Sequence, residues 1–347
     1  MPVLYVTEPG ATLRVARGIF CITAEPGSGG GSEATRRKEV LLEVQPHRLE
    51  VIGLVGRVHV TRDALLLCLE KGISLAWFAW NGVYQGRLSP GVSRSGDLRL
   101  AQSRLALSPE AALALARTFI RAKCGNGRAV LRGIQSNQPG LPEISRALRE
   151  LGEWEERIVA ATGPEELLGC EGGATKCYFS VLDHGFRGEI HFTGRKRRPP
   201  PDPVNALLSF GYVLLGNHVA GLLEGRGLDP AIGFFHAPRP GRASLALDLL
   251  EEFRHPVVDR FVMRTCNLRM IRPEMFETDS ETGGIRLTRE GLKIFFSAWG
   301  HYLERPCANG DGERKTVNEW LRQQVNHLAM AIRGEREYVP FRLPESS

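Results

Sequence analysis

Short stretches of alternating apolar and polar residues fill about the first 95 positions of the chain, a pattern typical of half-buried β-strands. Turn-forming residues separate these stretches, and Asn81-Gly82 is a strong signal for a two-residue hairpin. One segment has helical spacing instead: Arg62–Lys71 predicts a helix that Gly72 ends. The predicted strands are Val3–Thr7, Thr12–Val15, Ile19–Ile22, Val40–Val44, Leu49–Leu54, Val58–Val60, Ile73–Phe78 and Val83–Leu88.

From Asp97 onward the apolar residues recur at a spacing near 3.6, which indicates α-helices. Pro90–Gly96, just before this change, has the composition of a linker. Two long connections, 187–202 and 227–242, interrupt the helical pattern, and the tail Arg333–Ser347 is expected to fray. The predicted helices are Leu98–Leu107, Pro109–Cys124, Leu141–Thr162, Pro164–Leu182, Val204–Gly225, Ser244–Cys266, Thr288–Arg305 and Thr316–Glu337.

Composition excludes several classes of protein and leaves others open. The 347 residues suffice for about two domains, and a net charge of +6 permits a nucleic-acid partner without establishing one. We expect neither a secretory signal nor a membrane span, because no apolar run approaches about 20 residues. The seven cysteines are scattered without a CxxC pair, which predicts reduced thiols in a cytoplasmic protein. The glycine-rich segment Pro26–Ser32 lacks the lysine of a phosphate-binding loop, so no ATP site is predicted.

One predicted helix carries a candidate for metal chemistry. Asp248 and Glu251 lie three residues apart, so their carboxylates share one helix face and repel each other unless a cation lies between them. A divalent ion such as Mg²⁺ or Mn²⁺ is one such cation. On spacing alone, a solvated acidic face paired with Arg242 or Arg254 is the more common arrangement.

Two further residues could join this pair, although the sequence does not show that they converge. His236 precedes Asp248 by twelve residues, a connection short enough to fold its ring back onto the helix. Glu171 lies among glycines inside another predicted helix, where each glycine costs roughly 1 kcal/mol relative to alanine. That cost suggests that a ligand or another chain segment lies close to this helix, and packing is the favoured explanation.

Four segments, in order along the chain, combine these residues with glycines, basic residues and aromatic residues in a specific arrangement. Any one of them would be weak evidence, whereas the combination is highly specific. They are EGGATKCYF at Glu171–Phe179, KRRPPPDPVNALLSFGY at Lys196–Tyr212, GFFH at Gly233–His236 and GRASLALDLLEEFR at Gly241–Arg254.

This ordered set resembles the CRISPR-associated adaptation integrases, the Cas1 family, over nearly the whole chain. The opening Leu4–Gly10 and the hairpin signal near residue 81 are part of the resemblance. The opening and the overall length look most like the type I-C branch of the family. Departures are minor: Lys176 and Cys177 lie within the first segment, and His255 stands between Arg254 and Pro256.

The resemblance implies an α+β fold of two domains. A β-sandwich-like N-terminal domain, residues 1–94, would form a homodimer and contact partners, and a larger all-α domain, residues 95–347, would be catalytic. Cas2, as a dimer, is the implied partner in a larger complex, and Cas4 is a possible further one. Mg²⁺ or Mn²⁺ would be held by Glu171, His236 and Glu251, with Asp248 as a supporting acid.

The implied activity acts on double-stranded DNA. The 3′-hydroxyl ends of a protospacer would be joined to the CRISPR leader–repeat by transesterification, and water in place of the hydroxyl would give endonuclease activity. A basic, proline-stiffened loop could hold the DNA backbone, although a merely solvated loop is an alternative and each tyrosine could be a core ring. The candidate DNA contacts are Arg195, Lys196, Arg197, Arg198, Tyr178, Tyr212 and Arg242.

Two other functions remain possible on the sequence. A stand-alone nuclease for branched DNA in repair would share the site but need no Cas2. A DNA-binding scaffold with a decayed site would bind DNA without cleaving it, and a chelator would change nothing. The presence of all four candidate residues, Glu171, His236, Asp248 and Glu251, argues against the scaffold.

Overall fold

The computed structural model of the chain describes residues 3–24, 39–80, 82–89, 95–196 and 198–345. The rest of the chain, which includes the glycine-rich segment, Asn81 of the hairpin signal, most of the linker and Arg197, lies outside the described residues. The chain divides into two compact units: Met1–Val92 with Thr288–His301, and Ser93–Leu287 with Tyr302–Ser347.

The first unit is rich in strands and the second is mostly helical, so the predicted α+β class is confirmed. Residues 288–301, which the sequence placed with the helical region, belong to the strand-rich unit as part of a helix. The functional boundary between residues 94 and 95 stays a prediction.

Two four-stranded sheets form the body of the first unit. In one, the order is β1-β5-β7-β8, with β8 antiparallel to β7 and the other neighbours parallel; in the other it is β4-β3-β2-β6, with only β2 and β6 parallel. The strands are β1 Val3–Val6, β2 Thr12–Ala16, β3 Ile19–Ala24, β4 Glu39–Val44, β5 Val51–Val55, β6 His59–Val60, β7 Ser74–Phe78 and β8 Tyr84–Leu88.

Alternation along the strands builds the core of this unit, because every second side chain points to the same face. Leu13, Ile52 and Leu75, from three different strands, are fully buried in one apolar cluster. The helix α1, Arg62–Lys71, has the predicted bounds. Gly72 ends it in the left-handed conformation, with φ of 73°, as its C-cap role requires.

The second unit is built from helices, with two short hairpins that the periodicity did not predict. The hairpins are β9–β10 and β11–β12. The element bounds are α2 Gly96–Ala106, α3 Pro109–Asn137, α4 Pro142–Ala160, α5 Pro164–Ser180, α6 Pro203–Arg226, α7 Ser244–Leu250, α8 Arg260–Asn267, β9 Phe276–Thr278, β10 Ile285–Leu287, α9 Arg289–Leu303, β11 Pro306–Ala308, β12 Arg314–Thr316 and α10 Val317–Ile332.

The predicted single helix Ser244–Cys266 is broken, and the break shapes the site described below. Regular α-helix ends at Leu250, and a wider π-helical turn, Arg254–Asp259, leads into α8. Pro256 explains the change, because its ring lacks an N–H donor and would clash with the carbonyl four residues earlier in a regular helix.

The expectation that the tail frays is wrong for the part of it that the structure describes. Phe341 and Leu343 are buried. The side chain of Asn126, in α3, donates to the carbonyl oxygens of Glu252 and Phe341 at 2.8 and 3.0 Å, and it accepts from the N–H of Leu343 at 2.8 Å. The two bonds to Phe341 and Leu343 fasten the tail to α3, and the bond to Glu252 links α3 to the segment after α7.

Two expectations from composition concern the membrane and the thiols. By length and composition, α6 could span a membrane, but 61% of its apolar window is buried inside the protein, as in the core helix of a soluble fold. All seven cysteines are free, and six of them are buried.

We predict that Asn126→Ala lowers the free energy of unfolding by about 2–4 kcal/mol, because it leaves three buried backbone groups without partners. Urea unfolding measures the change. The matched control is Asn137→Ala in the same helix, whose side chain is exposed. Equal losses for the two variants would contradict the prediction.

Candidate active site

Asp248, in α7, organises the loop that precedes it. Its carboxylate is fully buried and accepts hydrogen bonds from the backbone N–H groups of Phe234, Phe235 and His236, at 2.6, 3.0 and 2.9 Å. These three hydrogen bonds compensate the buried carboxylate for the water that it loses on burial. They also attach the loop firmly to α7.

Gly233 makes this arrangement possible. A Cβ at this position would lie 2.8 Å from Oδ2 of Asp248 and 2.9 Å from the carbonyl oxygen of His236. No other residue fits without pushing the loop away from the carboxylate.

The ring of His236 is oriented by the same carboxylate. Its Nδ1 lies 2.7 Å from Oδ1 of Asp248, a position in which an N–H at Nδ1 donates a hydrogen bond to the carboxylate. Nε2 then has its lone pair free and faces Oε1 of Glu251 at 3.9 Å. A histidine held in this way is suited to bind a metal through Nε2.

Lys123 bridges two carboxylates that come from different helices. Its ammonium, from α3, bonds to Oε1 of Glu171, in α5, and lies 2.8 Å from Oε2 of Glu251, which follows α7. Arg254 contacts the same oxygen of Glu251 at 2.9 Å. Thr175 also donates to Oε1 of Glu171, at 2.9 Å. Two carboxylates and two cations thus balance in a nearly dry cluster.

The electrostatics of Glu251 follow from these neighbours. Burial alone would raise the pKa of Glu251, but the charges of Arg254 and Lys123 outweigh it and hold that pKa well below its usual range. Burial would lower the pKa of Arg254, and Glu251 more than reverses this. Both side chains are therefore charged at neutral pH.

A cluster of three buried side chains, Tyr212, Asp259 and His255, adjoins Arg254. The guanidinium of Arg254 stacks over the ring of Tyr212 at 4.7 Å. The hydroxyl of Tyr212 donates to Oδ1 of Asp259 at 2.5 Å, and Nδ1 of His255 lies 2.7 Å from the other oxygen of Asp259. Burial and the charge of Asp259 raise the pKa of Tyr212 well above its ordinary value. This cluster holds the guanidinium of Arg254 in place, and the guanidinium in turn holds the carboxylate of Glu251.

The donor set is of the kind that a hard divalent ion prefers, two carboxylates and one imidazole. His236 Nε2 and Glu251 Oε1 are 3.9 Å apart, and two ligand atoms with bonds of about 2.1 Å to one ion lie at most about 4.2 Å apart. Within the described ranges, however, no three His, Cys, Asp or Glu side chains stand ready to hold a metal. The residues match a divalent ion in kind, and in the structure the ammonium of Lys123 lies on Oε1 of Glu171 and Oε2 of Glu251.

The glycines around Glu171 have a partly structural explanation. A Cβ on Gly173 would lie 2.4 Å from the ring of Trp154, so packing against α4 requires glycine there. Gly169 and Gly172 meet nothing within 4 Å. The packing explanation therefore accounts for one glycine, and the other two leave this helix without side chains on that part of its surface.

The basic loop is divided between structural and exposed side chains. Arg195 donates to Oδ1 of Asn205 at 2.9 Å and to Oγ of Ser209 at 3.2 Å, which ties the loop to α6. Lys196 and Arg198 are exposed. A DNA contact is therefore easier to make for these two residues than for Arg195.

The remaining candidates for DNA contact lie deeper. Tyr178 is buried, with its ring centroid 3.9 Å from that of His255, and Tyr212 is buried on Asp259. Tyr212, whose hydroxyl bonds to Asp259, matches the alternative of a core ring with a satisfied hydroxyl, and Tyr178 is a buried ring. Contact with DNA stays a prediction for both. Arg242 is half-buried in the turn before α7.

Sequence reasoning missed Lys123, and it considered Arg254 only as the partner of a solvated acidic face. A signal for Lys123 exists, because it shares the buried stripe of α3 with Ile120, Cys124 and Gly127 at helical spacing. A lysine in such a stripe needs a buried acid, and the sequence alone does not say which acid it is.

Comparisons with known proteins find similar chains over most of the sequence. The family model described as "CRISPR associated protein Cas1" matches residues 4–301. A curated relative, the "CRISPR-associated endonuclease Cas1 3" of Thermus thermophilus, is 37% identical over 317 residues, which cover 90% of this chain and 92% of the relative.

Solved structures share the fold along almost the whole chain. A casposase bound to its integration product superposes with a TM-score of 0.81 at 23% identity and covers 100% of this chain and 94% of that one. A Cas6-RT-Cas1–Cas2 complex gives a TM-score of 0.78 at 22% identity, over 99% of this chain and 36% of that one. At these identities the likeness shows the fold alone.

Glu252, the residue after Glu251, is expected to make the free energy of unfolding depend on pH. Burial raises the pKa of Glu252 to about 8, although Tyr338 and the N–H of Phe341 donate to it. The folded protein keeps this proton from about pH 4.5 to 8 while the unfolded chain loses it, so the contribution of Glu252 to stability falls as pH rises, by at most about 1.4 kcal/mol per unit.

We expect the free energy of unfolding of Glu252→Gln to fall less steeply than that of the wild type between pH 5 and 8. Chemical unfolding at several pH values measures the two slopes, and Glu156→Gln, at an exposed position of α4, is the control. If the free energy of unfolding changes with pH equally in the wild type and in Glu252→Gln, then Glu252 does not keep its proton in the folded protein.

Proposed function

The chain belongs to the Cas1 family of CRISPR-associated integrases and endonucleases, and on that premise we propose that it joins protospacer 3′-hydroxyl ends to the CRISPR array by transesterification. In this reaction the 3′-oxygen forms a bond to the phosphorus of the leader–repeat strand while the bond to the departing 3′-oxygen breaks. The proton of the attacking hydroxyl passes, in sum, to the leaving oxygen. One phosphodiester replaces another, so no ATP is consumed.

The observation that carries the proposal is the convergence of Glu171, His236 and Glu251 on one charged cluster. These residues would hold Mg²⁺ or Mn²⁺. When bound, such an ion polarises a phosphoryl oxygen and stabilises the charge that develops on it.

The other residues of the site prepare those ligands. Asp248 keeps the proton of His236 on Nδ1 and so leaves Nε2 as a ligand. All of its oxygens are engaged with the loop, which supports a positioning role rather than direct ligation. Arg254 keeps Glu251 ionised, and Tyr212 fixes the guanidinium plane.

We assign DNA contact to the exposed basic residues of the loop before α6. Lys196 and Arg198 are exposed in the loop before α6, with Arg195 holding that loop in place. The net charge of +6 is compatible with binding to a phosphate backbone. Such contacts weaken as salt rises, because binding releases counterions from the DNA.

The strand-rich unit is proposed as the site of homodimer formation. The edge strand β4 has exposed apolar side chains, with Val40, Leu41 and Leu42 at 47, 45 and 42%. An edge strand with free backbone groups and apolar side chains is a template for pairing with another chain.

Partners and context complete the proposal. A Cas2 dimer is the proposed partner in the integration complex, in keeping with the related complex that contains Cas1 and Cas2. The type I-C assignment and the part played by Cas4 stay predictions. Seven free thiols agree with action in the cytoplasm.

We predict that Glu171→Ala and Glu251→Ala each reduce protospacer joining at least about a hundredfold in the presence of Mg²⁺ or Mn²⁺, because each removes a ligand and leaves Lys123 without one of its acids. A gel assay with labelled protospacer, a leader–repeat duplex and Cas2 measures joining. Glu165→Ala, in the first turn of the same helix as Glu171, is the control.

Three results of this assay would redirect the assignment. Joining by Glu171→Ala at the wild-type rate would remove the residue from the site. Cleavage of branched DNA that does not respond to Cas2 would favour the stand-alone repair nuclease. DNA binding by the wild type without cleavage or joining, unaffected by a chelator, would favour the scaffold.

The proposed dimer surface gives a separate prediction. Leu42→Asp places a charge on the exposed face of β4, so the sedimentation coefficient should fall from that of a dimer to that of a monomer. The control is Leu66→Asp, at an exposed leucine of α1. A dimer that persists in Leu42→Asp at micromolar concentration would place the interface elsewhere.

A further inference from the structure

We propose that Lys123 is an exchangeable internal cation: its ammonium holds Glu171 and Glu251 together before metal binding and is displaced from them by the ion. This inference rests on the proposed metal dependence and adds to it a residue that competes with the metal. It starts from the contacts of the ammonium, which bonds to Glu171 and lies 2.8 Å from Glu251.

The first step of the argument is the cost of the two carboxylates. The side chain of Glu251 is 3% exposed and that of Glu171 is 16% exposed, so water screens their repulsion poorly. Of these two acids, Glu251 is the one that Arg254 contacts within the described residues. Lys123, itself 7% exposed, is the cation that touches both carboxylates among the described residues. Without its charge, the two helices that carry these acids would repel each other.

The second step is the balance of charge. Glu171 and Glu251 are matched by Lys123 and Arg254, and the buried carboxylate of Asp248 on His236 brings the site to −1. A divalent ion placed among them would bring the sum to +1, which a buried cluster opposes, and the departure of one cation would return it to zero. Arg254 is fixed by its stacking on Tyr212, whereas the lysine side chain has four rotatable bonds. The lysine is therefore the cation that moves.

The third step is the position of the oxygens. The ammonium uses Oε1 of Glu171 and Oε2 of Glu251, while Oε1 of Glu251 faces Nε2 of His236. A metal that takes this Oε1 of Glu171 together with His236 and Glu251 displaces the ammonium from Glu171, and the bridge through Lys123 then opens.

The first experiment measures metal affinity, with Mn²⁺ as the probe and its free concentration read by electron paramagnetic resonance. Lys123→Met should bind Mn²⁺ at least about tenfold more tightly than the wild type, because no ammonium competes for the acids. Lys176→Met, at an exposed lysine of α5, should bind like the wild type. A merely structural lysine would not raise affinity, so equal or weaker binding by Lys123→Met overturns the inference.

The second experiment measures thermal unfolding of the full chain in excess chelator. Lys123→Met should lower the midpoint by several degrees, and Lys123→Arg, which keeps the charge, should recover part of the loss. In a Glu171→Gln background the same Lys123→Met change should cost much less, since one of the two acids is gone. Equal costs in both backgrounds overturn the inference. The double variant also serves if Lys123→Met alone fails to fold.

Failure of the inference is distinguishable from failure of the proposed function. If the wild type itself binds no Mn²⁺, the proposed metal site is wrong, while the stability cycle in chelator still tests the bridge. If the wild type binds Mn²⁺ and Lys123→Met binds it no more tightly, the metal site stands and the exchange is wrong.

Discussion

Two carboxylates that share one buried ammonium are the constraint on which the second unit depends. Glu171 comes from α5, Glu251 follows α7 and Lys123 lies within α3, so three helices must keep their relative positions for the charges to balance. Apolar packing brings the helices together, but it tolerates small shifts. A buried charge that loses its partner costs several kcal/mol, so the ion pairs fix the register that packing leaves open.

The loop and helix that carry His236 and Glu251 show how backbone irregularity serves the site. Asp248 uses the N–H groups of the loop to fix the imidazole, and Gly233 leaves room for that contact. Regular helix ends at Leu250, just before Glu251, and Pro256 lies in the widened turn that follows. The widened turn brings His255 and Asp259 together beside Tyr212, which supports Arg254 from behind.

Much of the fold could be predicted from periodicity, whereas the contacts between the side chains of the site could not. The strands of the first unit and the helix Arg62–Lys71 followed from local patterns that burial enforces. Helical spacing also ran through Ser244–Cys266, and only the steric demand of Pro256 breaks it. Lys123 could not be predicted as a site residue, because the two acids that it contacts lie 48 and 128 residues away in sequence. Residue spacing does not predict contacts over such separations. The tail was expected to fray because charged residues and prolines dominate its sequence. Its two apolar residues Phe341 and Leu343 are nevertheless buried.

The hydrogen bonds between Glu252 and the tail have a consequence for the order in which the protein is made. Tyr338 and Phe341 lie 86 and 89 residues after Glu252. Their donors do not exist while the ribosome is still adding those residues, so the segment that carries Glu251 is incompletely supported during synthesis. The segment around Glu251 therefore reaches its final arrangement only after the tail has been made and has packed onto the helical core.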